Sequence, residues 1–105
     1  MTPLSLDVTT DGPSRITVAV SGEVDMATAP QLSACLRSHT DQDITVDLSG
    51  VGFLDSSGLN ALVHAYKLLL AAGHTLRTTG EADHILKIMD TTGLTKMLHG
   101  EDPDT

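Results

Sequence analysis

Three short stretches of this chain place apolar residues at every second position, and a longer one places them at every third or fourth. That switch of period decides what the chain can fold into. Leu4, Leu6 and Val8 alternate with polar residues, as do Ile16, Val18 and Val20, and again Ile44, Val46 and Leu48. Alternation is the mark of a strand with one buried face. Leu59, Leu62, Val63, Tyr66, Leu69 and Leu70 instead trace one face of a helix. Asp11-Gly12-Pro13-Ser14 is a turn signal, and its shortness predicts that the first two strands form an antiparallel hairpin. Gly22-Glu23-Val24-Asp25 closes the second strand. Thr28 is the predicted N-cap of a first helix, with Pro30 in its first turn and Leu32, Cys35 and Leu36 as its apolar stripe.

The third strand is expected to give way at Ser49-Gly50-Val51-Gly52 to an irregular crossing that leads into the long helix. Gly73 ends that helix as its C′ residue. Leu76 among threonines reads as a weak fourth strand. Ile85, Ile88 and Met89 mark a third helix, Gly93 stops it, and Leu94 to Leu98 supply one more helical turn. Strands alternating with helices at this spacing imply parallel crossovers and an α/β sheet. The expected core includes Val18, Val20, Val46, Leu48, Leu62, Val63, Tyr66 and Ile88.

With 105 residues the chain has room for one compact core. The expectation is a single domain over residues 1–105, its core spanning about 4–98, with 99–105 as an acidic, fraying tail. The net charge is −8, from 14 acids against 6 Lys plus Arg. Such a surface repels nucleic-acid backbones and anionic lipid, and suits a basic protein partner. Phe53 and Tyr66 are the only aromatic residues, too few to build a stacking platform for bases. Cys35 is the lone cysteine, so no intrachain disulfide can form, and its place beside Leu32 and Leu36 reads as packing rather than redox chemistry. No apolar run approaches the roughly 20 residues of a membrane span, and no signal-peptide pattern opens the sequence. A cytoplasmic protein is the expectation.

The stretch from Phe53 to Asn60, Phe-Leu-Asp-Ser-Ser-Gly-Leu-Asn, carries the chemistry. It sets two hydroxyls, Ser56 and Ser57, where a strand turns into the long helix. That helix is expected to start near Asp55 or Ser56, either of which can cap it. A helix N-terminus carries about half a positive charge, so a phosphoryl group there is tolerated by the fold. Gly58, lacking a side chain, is expected to let a partner's backbone come close. The same residues also make an ordinary N-cap cluster.

These residues resemble the signature of STAS domains of the anti-anti-sigma factor family. Two more motifs match in order and distance. Gly22-Glu23-Val24-Asp25 is similar to the family's Gly-Glu-aliphatic-Asp motif, and Asp90-Thr91-Thr92-Gly93-Leu94 to its Thr/Ser-Gly-Leu element. The resemblance covers about residues 4 to 98. It implies an α/β STAS domain with a small mixed sheet of four to five strands and helices mainly on one side. It implies that Ser56 is the phosphorylation site, with Ser57 second to it, and that Asp25, Asp55, Ser56, Ser57, Gly58 and Asn60 meet the partner. The partner so implied is an anti-sigma factor that is also a serine kinase with a histidine-kinase-like ATPase fold. It binds the unphosphorylated antagonist, which frees a sigma factor, and then phosphorylates the serine. A phosphatase resets the cycle. On this reading the chain is expected to need no cofactor, to touch neither nucleic acid nor membrane, and not to be an enzyme. One departure stands out: the fourth strand, His74 to Thr79, is more polar than is usual in the family. The alternative within the family is an unphosphorylated STAS scaffold of a transporter or a stress-signalling complex.

Other chemistries find little support. A nucleophile elbow needs glycine two residues before and two after its serine; Ser56 has only Gly58, and Ser57 has neither. The five histidines, at 39, 64, 74, 84 and 99, are not tied to the loop by sequence. His39 with Asp41 or Asp43, and Asp83 with His84, lack metal-ligand spacing. Gly50-Val51-Gly52 lacks the later glycine and lysine of a phosphate loop. Neither catalytic nor metal-ligating residues are expected.

Overall fold

A hairpin sets the edge of the sheet. In the computed structural model, which describes residues 3–100, β1 (Ser5–Gly12) and β2 (Arg15–Val24) run antiparallel, joined across Pro13 and Ser14. The chain then alternates: α1 (Ala29–Arg37), β3 (Asp43–Leu54), α2 (Ser56–Ala71), β4 (Leu76–Thr79), α3 (Asp83–Thr91) and a short α4 (Thr95–Leu98). The strands lie in the order β1-β2-β3-β4, with β2, β3 and β4 parallel. The sheet is therefore mixed and four-stranded, as the resemblance implies. The part of the expected tail beyond Gly100 lies outside the described residues.

The helices share one face for a topological reason. Both crossovers, β2-α1-β3 and β3-α2-β4, step the same way along the sheet. Right-handed connections stepping in one direction put their helices on one side. On that side Ile16, Val18 and Val20 of β2 align with Ile44, Val46 and Leu48 of β3 and with Leu76 of β4, all buried. Leu32 and Leu36 of α1, Leu62 and Leu69 of α2, Ile85 and Met89 of α3 and Leu98 of α4 complete the core. Each such side chain contributes about 1.5–3 kcal/mol on leaving water. The opposite face is polar: Thr9, Thr17 and Thr45 stand in one row with Arg77, and Asp7, Ala19 and Asp47 with Thr79.

Three expected core residues sit further out. Val63, Tyr66 and Ile88 are half-buried at the margin, and Leu70 is exposed. The inner face of α2 is instead Gly58, Leu59, Ala61, Leu62, Ala65 and Leu69. The alanines let α2 lie close to the sheet and to α1, which turns the larger residues beside them outward. The third strand also differs from expectation. It does not break into an irregular crossing but runs unbroken to Leu54, still paired with β2. Ser21 pairs with Gly50 and Glu23 with Phe53, so β3 absorbs two extra residues as bulges. The buried positions accordingly step from Leu48 to Val51 to Leu54, three at a time.

Both long stops are Schellman motifs. After α2, Gly73 (φ +85°) lets its own N–H reach Leu70 O and the His74 N–H reach Leu69 O at 2.8 Å. After α3, Gly93 (φ +75°) does the same with Asp90 O and, through Leu94, Met89 O. The polar fourth strand is satisfied rather than loose. Thr78, buried, donates to the carboxylate of Glu81 at 3.0 Å, and His99 Nε2 contacts that same carboxylate. Glu81 is almost wholly covered, its side chain 3% exposed.

Candidate functional site

Two aspartates stand side by side at the carboxyl edge of the sheet. Val24 pairs with Leu54 at the ends of parallel β2 and β3, so Asp25 and Asp55 follow on neighbouring strands. The Asp55 N–H, donating to Val24 O at 3.1 Å, stitches the two exits together. Each aspartate then starts a helix. Asp55 is the N-cap of α2, in extended backbone, and its Oδ1 accepts from Ser57 N at 2.8 Å and Gly58 N at 3.2 Å. The sequence left the start open between Asp55 and Ser56; Asp55 takes the cap and Ser56 is the first helical residue.

At α1 the expected cap is replaced by a reciprocal pair. Thr28 occupies the N-cap position but makes no capping bond into the helix. Its Oγ1 instead accepts from Asp25 N at 2.9 Å and donates to Glu23 O at 2.8 Å. Asp25 Oδ1 accepts from Ala27 N at 2.9 Å and Thr28 N at 3.0 Å. Carboxylate and hydroxyl each satisfy the other's backbone, so both helix entries are fixed before any partner arrives.

On this rigid edge Ser56 is exposed, while Ser57 is half-buried and faces a groove between α1 and α2. Asn60 is exposed one turn along and lines the same groove. Gly58 departs from expectation. It is buried, and a Cβ built on it would stand 2.7 Å from Val24 Cγ1 and 3.0 Å from Leu54 Cγ. Its missing side chain lets α2 sit down on β2 and β3; it does not open a path for a partner's backbone. No sequence signal separates these two uses, because the clash depends on a strand far away along the chain.

Two apolar residues outside the expected partner-binding set flank the serine. Met26, in the Asp25 turn, is 77% exposed, and Phe53, two residues before Asp55, is 47% exposed. Met and Phe are residue types enriched in protein interfaces. A motif that places Phe directly before Leu-Asp-Ser was the available signal. His84 in the first turn of α3 reaches Gly52 O at 3.0 Å and so braces the strand that carries the loop.

The remaining candidates are not drawn to the edge. Burial pushes the Cys35 thiol above its ordinary pKa, which keeps it protonated and a poor nucleophile. His74 pairs with Asp43 at 3.2 Å at the opposite end of the sheet. Among the described residues no group of three His, Cys, Asp or Glu side chains is placed to hold a metal ion, and no helix is long and apolar enough to cross a membrane.

The family model described as "Mlab, STAS domain" matches residues 8–99. The chain belongs to the STAS domain family. Among its relatives, the anti-sigma-B factor antagonist of Staphylococcus aureus is 35% identical over 85 residues, covering 78% of this chain and 79% of that protein. The crystal structure of an anti-sigma factor antagonist from Mycobacterium paratuberculosis is 30% identical, with a TM-score of 0.71 over 96% of this chain and 86% of that one. The anti-sigma factor antagonist SpoIIAA in its unphosphorylated form shares the fold, with a TM-score of 0.75 at 18% identity over 89% of this chain and 84% of that one.

Proposed function

We propose that this STAS domain is an anti-sigma factor antagonist. Unphosphorylated, it binds an anti-sigma factor that is also a serine kinase, and phosphorylation of Ser56 releases it. The observation that carries this reading is an exposed serine on the first residue of a helix, held at a rigid edge by Asp55 and flanked by exposed Met26 and Phe53. The names of the relatives in Staphylococcus aureus and Mycobacterium paratuberculosis support the partner class.

In the transfer the terminal phosphoryl of ATP passes to Ser56 Oγ, ADP leaves, and the hydroxyl proton goes to a base of the kinase. Of the first N–H groups of α2, those of Ser57 and Gly58 are already bonded to Asp55. A phosphate on Ser56 therefore finds those two donors taken, and on this exposed residue it projects outward. A dianion forced into an interface without a cation opposite costs about 3–5 kcal/mol, by analogy with a broken buried ion pair. That weakens binding about a hundredfold to several thousandfold, enough to abolish a micromolar complex.

Incubation with the cognate kinase and ATP, followed by intact-mass analysis, is expected to show one added phosphoryl group in the wild type and none in Ser56→Ala. Addition retained in Ser56→Ala moves the site elsewhere. Equal binding of the kinase by wild type and Ser56→Asp points instead to an unphosphorylated scaffold.

A further inference from the structure

The groove between α1 and α2 opens on the serine edge and continues away from it. It is shallow, about 420 Å³, with Ala29, Pro30 and Ala61 along its length and Met26 at its rim. Ser57 marks one end, and Arg37 and His64 are drawn into it from further along the two helices. From Ser57 to His64 is seven helical residues, about 10 Å at 1.5 Å per residue. No carboxylate lines this groove, in a chain with 14 acids and 6 Lys plus Arg. The ion pairs among the described residues are His74 with Asp43 and His99 with Glu81, and Arg37 belongs to neither. A cationic end on an otherwise acidic surface, joined to the switch serine by a small-residue trough, is complementary to one kind of segment.

We infer that the α1–α2 groove is a second docking site for the anti-sigma factor, taking a segment with an apolar side chain over Ala29 and Ala61 and a carboxylate that pairs with Arg37. The inference rests on the proposed function and deepens it. The serine edge supplies the switch; the groove supplies selection among anti-sigma partners by charge. A fork-shaped guanidinium pairs with a carboxylate in two-point geometry, which fixes the register of the segment as well as its sign. Arg37 ends α1, eight residues or about 12 Å along that helix from Ala29, so its contact is made equally before and during phosphoryl transfer. Such uniform binding lowers KM and leaves kcat alone.

The test uses the purified anti-sigma factor bound by the wild-type chain. Affinity and phosphorylation kinetics are measured for wild type, Arg37→Gln, Arg37→Glu, Ser33→Trp, which fills the groove, and Lys87→Glu, an exposed control on α3. Melting curves establish that each variant is folded. Arg37→Glu is expected to weaken binding about tenfold or more and to raise KM with kcat unchanged. Arg37→Gln should bind less salt-sensitively than wild type, Ser33→Trp should bind weakly, and Lys87→Glu should match wild type. If wild type is bound and phosphorylated at Ser56 while both Arg37 variants behave identically to it, the groove inference is overturned and the proposed function stands. If no anti-sigma factor binds the wild type, both fall. Sedimentation showing a wild-type dimer that Ser33→Trp dissolves would assign the groove to a second copy of this chain and overturn the inference.

Discussion

At the scale of single residues, the serine edge depends on what a glycine leaves out. Gly58 stands in the first turn of α2, where alanine normally stabilises a helix by roughly 0.5–1 kcal/mol. Here that gain is opposed by contacts at 2.7 Å with Val24 and 3.0 Å with Leu54, both buried. Overpacking of a closed core costs typically about 1–3 kcal/mol, so the clash should win. Gly58→Ala is expected to lower the melting temperature by several degrees, on a scale of about 4–8 °C per kcal/mol for a domain near this size. Combining it with Val24→Ala should cost less than the sum of the two single changes, because the methyl that is struck has been removed. A melting temperature equal to or above that of the wild type would show that α2 can shift outward freely. The identity of the glycine was legible in the sequence, but its reason was not. Val24 meets Gly58 only after β2 and β3 have paired.

At the scale of elements, the polar fourth strand is held by side chains as much as by its ladder. Thr78, Glu81 and His99 connect β4, the loop after it and the end of α4. Removing the buried carboxylate leaves the buried Thr78 hydroxyl only a long bond to Leu98 O at 3.5 Å, a loss of about 1–3 kcal/mol. Glu81→Ala should therefore raise amide exchange in Leu76–Thr79 and Thr95–Leu98, while β2 and β3 keep their protection. Uniform loss of protection would mean that this edge is not a separable unit. At the other end, β3 and β4 are stapled by Asp43, which accepts from Thr75 N at 2.9 Å and from His74. The Thr75 N–H, ahead of the His74 contact, holds the Asp43 carboxyl below its ordinary pKa, against a smaller upward push from burial. A depressed carboxylate stabilises the fold above its unfolded pKa, and that contribution is lost as pH falls through the folded value. Asp43→Asn should thus melt below the wild type near pH 7, by less than about 1 kcal/mol because the group is partly exposed. The gap should close on acidification through and below about pH 4. A gap that persists there would trace to geometry rather than charge. The sequence showed β4 as weak because it carried threonines; its hidden support, a glutamate and a histidine from either side of α3 and α4, leaves no periodic signal.

At the scale of the whole molecule, the fold separates the part that holds shape from the edge at which the proposed switch would act. Period and turn chemistry were enough to read the order of elements, the hairpin and both glycine stops, because each is written within a few neighbouring residues. The bulges of β3, the inner alanine face of α2 and the Asp25–Thr28 exchange were not legible, since each is set by a neighbouring strand or helix. All the buried apolar side chains lie on the helical side of the sheet, and Ser56 lies outside that layer at its carboxyl edge. A phosphoryl group there adds about −1.5 to −2 charges to a chain already at −8, but adds them to solvent. The Ser57 and Gly58 N–H groups are already bonded to Asp55, so the phosphate gains little lever on α2. Phosphorylated protein is therefore expected to keep the melting temperature of the unmodified form to within a few degrees. Its amide spectrum should change only around residues 53–60 and the Asp25 turn. Repulsion between the new dianion and the Asp55 carboxylate should be the main cost, and raising the salt concentration should shrink it. Shifts spread through β1 or α3, or a melting temperature lowered by ten degrees or more, would mean that the switch acts by remodelling the fold and not by the charge it presents to a partner.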